Sequence, residues 1–421
     1  MNSKERVREA LNRREPDRVP LFEFSINNRI AKHIVGRNVL IFGAGSTTKA
    51  AIDAEIRSQD EYKEFMSSSF LSQLQVYSKA GFDMITLVPT TFVTPYNFGL
   101  GNVAIREIYD VDIVYEGDDY YRITSKDPSA KGFWCTCKYC PESDTFQMFK
   151  DNILEKGEEE GEEEFERYVE FLEGKPLADI PEQLKYGLDA LERAIRVNSN
   201  EYGLFLNGYA DIEYPCFATY HSLFLSLMAT NGVLVHRYMR ATTDSVKAML
   251  KLELEMGVDS IMGGNDWAYK SGPMMSPAYF DEFMAPYLKE IVDLTHSYKR
   301  YYIKHLDGNT TKILDTLVNT CGIDAYHAIE PTAGMDIGDV KKRYGKKIAV
   351  IGNIDCGDVL VHWTPQQIRE EVKRIITAVS PGGGHIFSSS NSIHAGVPIE
   401  NFLAYMNAAR EYGVYPISSN D

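Results

Sequence analysis

Residues 301–308, Tyr-Tyr-Ile-Lys-His-Leu-Asp-Gly, run from an aromatic and β-branched stretch into a polar tip closed by glycine. A buried strand needs such residues along its length and turn formers at its end. Outward from it the same build recurs. Short apolar segments at 19–24, 84–88, 203–207, 260–264, 301–305, 325–329, 348–354 and 386–389 alternate with amphipathic helical stretches. Eight parallel strands wrapped by helices make a closed (β/α)8 TIM barrel, so the expected fold is α/β, one barrel over residues 1–421. Helix starts are written in the sequence too. Ser276-Pro277 opens a helix expected over 278–299, and Thr364-Pro365 opens one over 366–379, each pairing an N-cap hydroxyl with proline at the first helical position.

The interval between the second and third strands exceeds what one helix needs. An insertion over residues 102–182 is expected, beginning with a small β-meander (102–140) rich in Val, Ile and Tyr. An acidic helical patch at 155–173 follows, with glutamate runs at 158–160 and 162–164. Like-charge runs of this kind read as a solvated or mobile face, or as a surface for a basic partner. No internal repeat divides the chain.

Forty-four basic against sixty acidic residues give a formal charge of −16, which argues against nucleic acid or an anionic membrane as the partner. The first twenty residues lack the apolar run of a signal peptide, and no stretch is long and apolar enough to span a bilayer, so a cytoplasmic location is expected. Six cysteines in 421 residues are too sparse for a disulfide scaffold. Three of them, Cys135, Cys137 and Cys140, fall within six residues, but no second CxxC or HxxxH accompanies them to complete a zinc site. Gly382-Gly383-Gly384 precedes a strand and lacks the Lys-Ser/Thr of a phosphate loop.

In a barrel, residues just past the strands converge on one mouth. That rule selects Glu23, Asn207, Tyr209, Asn265, Asp266, His305, Asp307, Glu330, Asn353, Asp355, Cys356, Asn391 and His394. Taken singly, each also suits a cap or turn; together they describe a site. His305 and Asp307 share one side of an extended segment and can reach one ion or one substrate. With Cys356 and His394 they would make a tetrahedral zinc site. The metal-free alternative has His305 as general acid, with Asp307 orienting it or accepting a substrate hydrogen bond.

Several motifs resemble the uroporphyrinogen decarboxylase superfamily. They are Glu15-Pro16-Asp17-Arg18-Val19-Pro20, Ser271-Gly272-Pro273 with Ser276-Pro277, Lys304 through Asn309, Ala333-Gly334-Met335-Asp336, Gly352-Asn353-Ile354-Asp355, and Gly382 through His394. The resemblance spans the chain outside residues 115–183 and implies a (β/α)8 barrel. It also implies one of two activities: decarboxylation of a tetrapyrrole, or methyl transfer with corrinoid proteins.

The decarboxylases carry an Arg-rich segment after the first strand, where this chain has Glu23-Phe24-Ser25-Ile26-Asn27-Asn28-Arg29. The methyltransferase branch shows His-x-Cys-Gly at the fifth strand and a late Cys, both cysteines being zinc ligands. Here Asp307 replaces the first Cys and Asn391 stands near the second. An oxygen- and nitrogen-rich site suits an ether or alcohol oxygen better than a thiol.

The resemblance therefore implies a methyltransferase that passes a methyl group from a small methylated aromatic substrate to the cobalt(I) of a corrinoid (cobalamin) carried by a partner protein, an O-demethylation with zinc as an optional cofactor. In that reading His305, Asp307 and Glu330 are catalytic, and Glu23, Asn207, Tyr209, Asn265, Asp266 and Asn391 bind substrate. His305, Asp307, Cys356 and His394 hold the metal, if one is bound. The alternatives are a decarboxylase acting on a tetrapyrrole and a non-catalytic corrinoid-binding protein.

Overall fold

The computed structural model describes residues 1–41, 44–88, 111–125, 134–142, 144–151, 158–174, 182–215 and 220–417. Seven parallel strands form one sheet in the order β1 (Met84–Thr86), β6 (Phe205–Tyr209), β7 (Ser260–Gly263), β10 (Tyr301–Leu306), β11 (Ala325–Ala328), β12 (Ala349–Ile351) and β13 (His385–Ile386), with a separate hairpin of β8 (Ala268–Tyr269) and β9 (Gly272–Pro273) between β7 and β10 in the chain. Each neighbour follows its predecessor in the chain because the intervening helix returns the backbone to the same end.

The first expected strand, 19–24, fills the eighth place. Its Leu21 bridges Phe387 in parallel, the Phe387 amide donates to the Pro20 carbonyl (2.9 Å), and the Asp83 amide donates to the Leu21 carbonyl (2.8 Å). It is a single bridge, shorter than expected. An ionic knot holds it: buried Asp83 accepts from Arg6 (2.7 Å), Arg18 (2.8 Å) and the Leu21 amide (2.9 Å). The Asp17-Arg18 pair of the opening motif thus ties the closing strand to β1.

Helix Ser3–Leu11 plugs the amino-terminal end of the barrel. Asn2 and Glu5 close a capping box at its start. Val7, Ala10 and Leu11 then pack with Phe22, Met84, Phe205, Met262, Ile303, Ala325, Ala349, Ile351 and Ile386, so that residues of every strand contribute to one interior layer. A second, larger core lies between the strands and the outer helices.

Both expected helix starts are present. Ser276 accepts from the Tyr279 amide, and Thr364 forms a capping box with Gln367 ahead of helix Pro365–Val379. The helix expected over 278–299 is instead interrupted by a wide turn at Phe280–Met284 before resuming as Ala285–Ser297.

The meander comprises four antiparallel strands, β2 (Val111–Gly117), β3 (Tyr120–Ser125), β4 (Trp134–Cys140) and β5 (Thr145–Asp151), so it extends eleven residues past the expected end at 140. Positions 102–110 and 126–133 of the expected meander lie outside the described residues. Cys135 and Cys137 alternate inward on β4 and are buried; burial pushes the Cys137 thiol up to about 12. A thiol so placed is a core side chain and not a reactive one.

The acidic segment forms helix Glu158–Glu173 and is not merely a solvated face. Phe165, Tyr168, Val169 and Leu172, at helical spacing, are buried, while Glu166 and Glu173 pair with Arg237 at 3.0 and 2.8 Å. The glutamate count masked that apolar stripe. No helix among the described residues is long and apolar enough to cross a membrane.

One buried carboxyl makes stability depend on pH. Glu253, fully enclosed, accepts from the Tyr209 amide (2.9 Å), and burial raises its pKa to about 8. A folded-state pKa above the unfolded value means that this contribution is full at low pH. It is lost as pH rises through about 8. Glu253→Gln keeps an acceptor for the amide, and we expect it to flatten the fall in melting temperature between pH 7 and 9; a parallel fall in both proteins contradicts this.

Candidate active site at the barrel mouth

His305 lies near the carboxyl end of β10, its side chain almost fully buried, and Asp307 follows it into the mouth. Phe24 from the closing strand stacks on the imidazole with ring centres 4.6 Å apart and planes 9° apart. Behind it stands His327 of β11, with the two Nδ1 atoms separated by 2.6 Å. Burial drives both imidazoles below the usual histidine range, His327 to about 3. That environment disfavours the charged imidazole, which suits His305 as an acceptor or ligand better than as the general acid expected for the metal-free site.

Ahead of His305 are two carboxylates. Asp266, just past β7, accepts from the Asp307 amide at 3.0 Å. His305, Asp307 and Asp266 each offer a ligand atom, and these atoms lie within 4.8 Å of one another. Asn391 donates to Asp307 Oδ2, while Asp307 Oδ1 is buried without a hydrogen-bond partner. Burial first, then the other carboxylates, pushes the Asp266 and Asp307 pair upward from the ordinary aspartate range. Two like charges in this space favour either a shared proton or a cation.

Gly308 sets the turn that presents Asp307. Its φ is +83°, and a Cβ there would meet the Ala268 carbonyl oxygen at 2.5 Å. Its amide donates to Glu330 (2.9 Å), which also accepts from Thr332 and lies 3.7 Å from Lys270. Gly308→Ala is expected to displace Asp307 and lower turnover by roughly 10²-fold; unchanged turnover would show that this turn does not set the site.

Other expected site residues fall in three places. Asp307, Glu330, Asp355, Cys356, Asn391 and His394 line one cavity of about 490 Å³ together with Lys270 and Asp358, a volume typical of a small-molecule site. Cys356 and His394 stand outside the acid–imidazole group. The His394 Nε2 donates to the Cys356 carbonyl (3.0 Å) and its Nδ1 accepts from the Gly396 amide (3.1 Å), so both ring nitrogens are engaged. The Cys356 sulfur accepts from Ser390, and burial raises its pKa. Asp266 takes the place expected of these two beside His305 and Asp307.

Asn207 and Asn265 are committed to the scaffold. Asn207 bridges strands, donating to Thr86 (3.0 Å) and accepting from Ser260. Asn265 donates to the Ile212 carbonyl (2.7 Å) and through its amide to Asp211 (2.8 Å), which in turn pairs with fully buried Lys304. Glu23, also fully buried, accepts from the Ser389 amide and hydroxyl and from Tyr405; desolvation raises its pKa to about 7 against those bonds. The Tyr209 hydroxyl abuts Gly264, where a Cβ would come within 2.8 Å of it. Asn353 donates to the Ile329 carbonyl (2.7 Å). His327 went unselected in the sequence; its only signal was a histidine two residues into the strand beside His305.

A parallel barrel with carboxylates and an imidazole gathered past its strand ends is the arrangement in which barrel proteins build small-molecule sites. The model of the uroporphyrinogen decarboxylase family, URO-D, matches residues 165–412, and the chain belongs to that family. Among curated relatives, it is 31% identical over 186 residues to the uroporphyrinogen decarboxylase of Pseudoalteromonas translucida, a match covering 42% of this chain and 48% of that one. It is 27% identical over 262 residues to that of Aeromonas salmonicida, covering 59% and 70%. The chain thus spans about half the length of the first of these relatives. Among solved structures, a methyltransferase from Methanosarcina mazei superposes with a TM-score of 0.63 at 16% identity, over 98% of this chain and 99% of that one. That likeness is one of fold.

Proposed function

We propose that the protein is a methyltransferase that takes a methyl group from a small methylated aromatic ether and passes it to the cobalt(I) corrinoid of a partner protein. The observation carrying this reading is the charge of the mouth. Glu330, Asp355 and Asp358 line the cavity beside the Asp266–Asp307 pair, and Lys270 is the one lysine among the described lining residues. A porphyrinogen bearing many carboxylates would be repelled there. Arg29, the one arginine of the first-strand segment, is tied to the carbonyls of Ala395 (3.0 Å) and Val397 (2.6 Å).

In this reaction the bond between methyl carbon and oxygen breaks with its electron pair left on oxygen, and the methyl group passes to cobalt(I), which supplies the pair for the new bond. The departing phenoxide then needs a proton or a positive charge. The raised carboxyl pair of Asp266 and Asp307 retains a proton for that purpose when no cation is bound. The orphaned Asp307 Oδ1 and the oxygen–nitrogen donor set also fit a divalent ion, which Asp266, His305 and Asp307 would hold. Zinc would supply Lewis acidity toward the ether oxygen. Glu330 braces the Gly308 turn, and the cavity walls around Asn391 and Lys270 orient the ring.

Because those carboxyls must lose a proton before they can bind an ion, zinc affinity is expected to rise with pH, about tenfold per unit for each proton displaced, and to level off once the pair is ionised. Calorimetric titration in buffers of different ionisation enthalpy checks this; binding without proton release contradicts it. The function itself is tested by presenting the purified protein with cob(I)alamin and a panel of aryl methyl ethers, and separately with a uroporphyrinogen. Methylcobalamin formation supports the proposal. Carbon dioxide release indicates a decarboxylase, and tight corrinoid binding without transfer indicates a carrier.

A further inference from the structure

The imidazole pair behind the mouth has a direction. The His327 Nε2 faces the Ser389 carbonyl at 3.3 Å, and a carbonyl oxygen only accepts, so the proton of that bond sits on His327 Nε2. At 2.6 Å, one proton lies between the two Nδ1 atoms. A doubly protonated His327 would be a fully buried cation facing an imidazole and a carbonyl, with no carboxylate among the described residues paired to it, which is costly. His327 Nδ1 therefore accepts, and His305 Nδ1 donates.

We propose that His327 is a positioning residue that fixes the tautomer of His305, so that a bare lone pair at His305 Nε2 is turned toward Asp266 and Asp307. An independent observation agrees with this. His305 Nε2 and Asp307 Oδ1 face one another at 3.9 Å, beyond hydrogen-bond range, and Oδ1 is left without a partner. With the proton of the carboxyl pair held away from Oδ1, two facing acceptors behave in that way, whereas a proton on either atom would close the gap. Phe24, stacked on the ring, holds it from turning. The relay runs from the Ser389 carbonyl through His327 and His305 to the mouth. Ser389 is itself anchored by Glu23, so the buried glutamate acts at a distance by holding the acceptor in place. A lone pair so directed serves a cation or a proton equally, and the inference does not rest on methyl transfer.

The test is heteronuclear NMR of metal-free protein carrying 15N-labelled histidine, with the His305 signals assigned by their loss in His305→Gln. We expect His305 to hold its proton at Nδ1 with Nε2 unprotonated. In His327→Phe, which removes the acceptor, the proton should move to Nε2 next to the carboxylates, and Zn2+ affinity should fall by roughly 10- to 100-fold. His327→Asn, whose Oδ1 still accepts, should restore both. A wild-type His305 protonated at Nε2 overturns the proposal, as does an unchanged tautomer or unchanged Zn2+ affinity in His327→Phe. Should His327→Phe fail to fold, the wild-type spectrum alone decides.

Discussion

His305→Ala is expected to lower methyl transfer by about 10²- to 10⁴-fold, because it removes the lone pair that bears on the Asp266–Asp307 proton or on a bound cation. The substitution deletes the only nitrogen of the triad and the ring that Phe24 covers. It also strips His327 Nδ1 of its donor, at a cost of about 1–3 kcal/mol for an unsatisfied buried polar atom. A barrel of this size should survive that loss. The variant should therefore keep its circular dichroism spectrum and melt cooperatively a few degrees lower while turning over little substrate. Turnover within tenfold of wild type in a folded variant would remove His305 from the centre of the site.

Lys304→Met should act mainly on stability. The Lys304 side chain is wholly enclosed and pairs with Asp211, donates to the Asn265 carbonyl (2.8 Å) and lies 3.9 Å from the centre of the Trp267 ring. Removing one partner strands a buried carboxylate, typically at about 3–5 kcal/mol. Asp211 retains the amides of Ile212 and Asn265, which softens the loss. The melting temperature should fall by several degrees, and turnover with it, because Asp266 follows directly on the segment that Lys304 holds. The double variant Lys304→Met with Asp211→Asn should recover part of the stability, since no charge is then left unpaired. Melting of the single variant within one degree of wild type would show that the pair is not needed.

How much of this was legible beforehand depended on range. The seven named barrel strands appear where short apolar runs suggested, because a strand buried on both faces must be apolar throughout. Most of their ends were overestimated, as at β12, where regular pairing stops at Ile351 and a lone bridge at Ile354 takes over, whereas β6 and β10 run past the expected 207 and 305 to Tyr209 and Leu306. The closing strand at 19–24 read as an ordinary strand, yet it holds its place by a single bridge and the Asp83 knot, a long-range contact with no local signature.

His305 and Asp307 were legible as a pair from their spacing. Asp266 was legible only as a mouth residue. Its partnership with them depends on β7 lying beside β10, with Gly263 opposite Lys304, and that register exists only in the folded sheet. His327 was missed for the same reason: it stands opposite His305 across β10 and β11. Asn207 and Asn265 looked like substrate ligands because amides at strand ends often are. Here strand-to-strand polar demand consumes them. Cys356 and His394 reached the right cavity, but their hydrogen bonds point them along its wall.

The central claim is that the acidic mouth removes methyl groups from oxygen. The most direct measurement supplies the purified protein with cob(I)alamin and an aryl ether whose methoxy carbon is 13C, and follows the label by NMR. The account predicts that the 13C signal moves from the methoxy position to a cobalt-bound methyl, with one free phenol formed for each methyl transferred. Label remaining in the ether, while the same preparation releases carbon dioxide from a uroporphyrinogen, would contradict it.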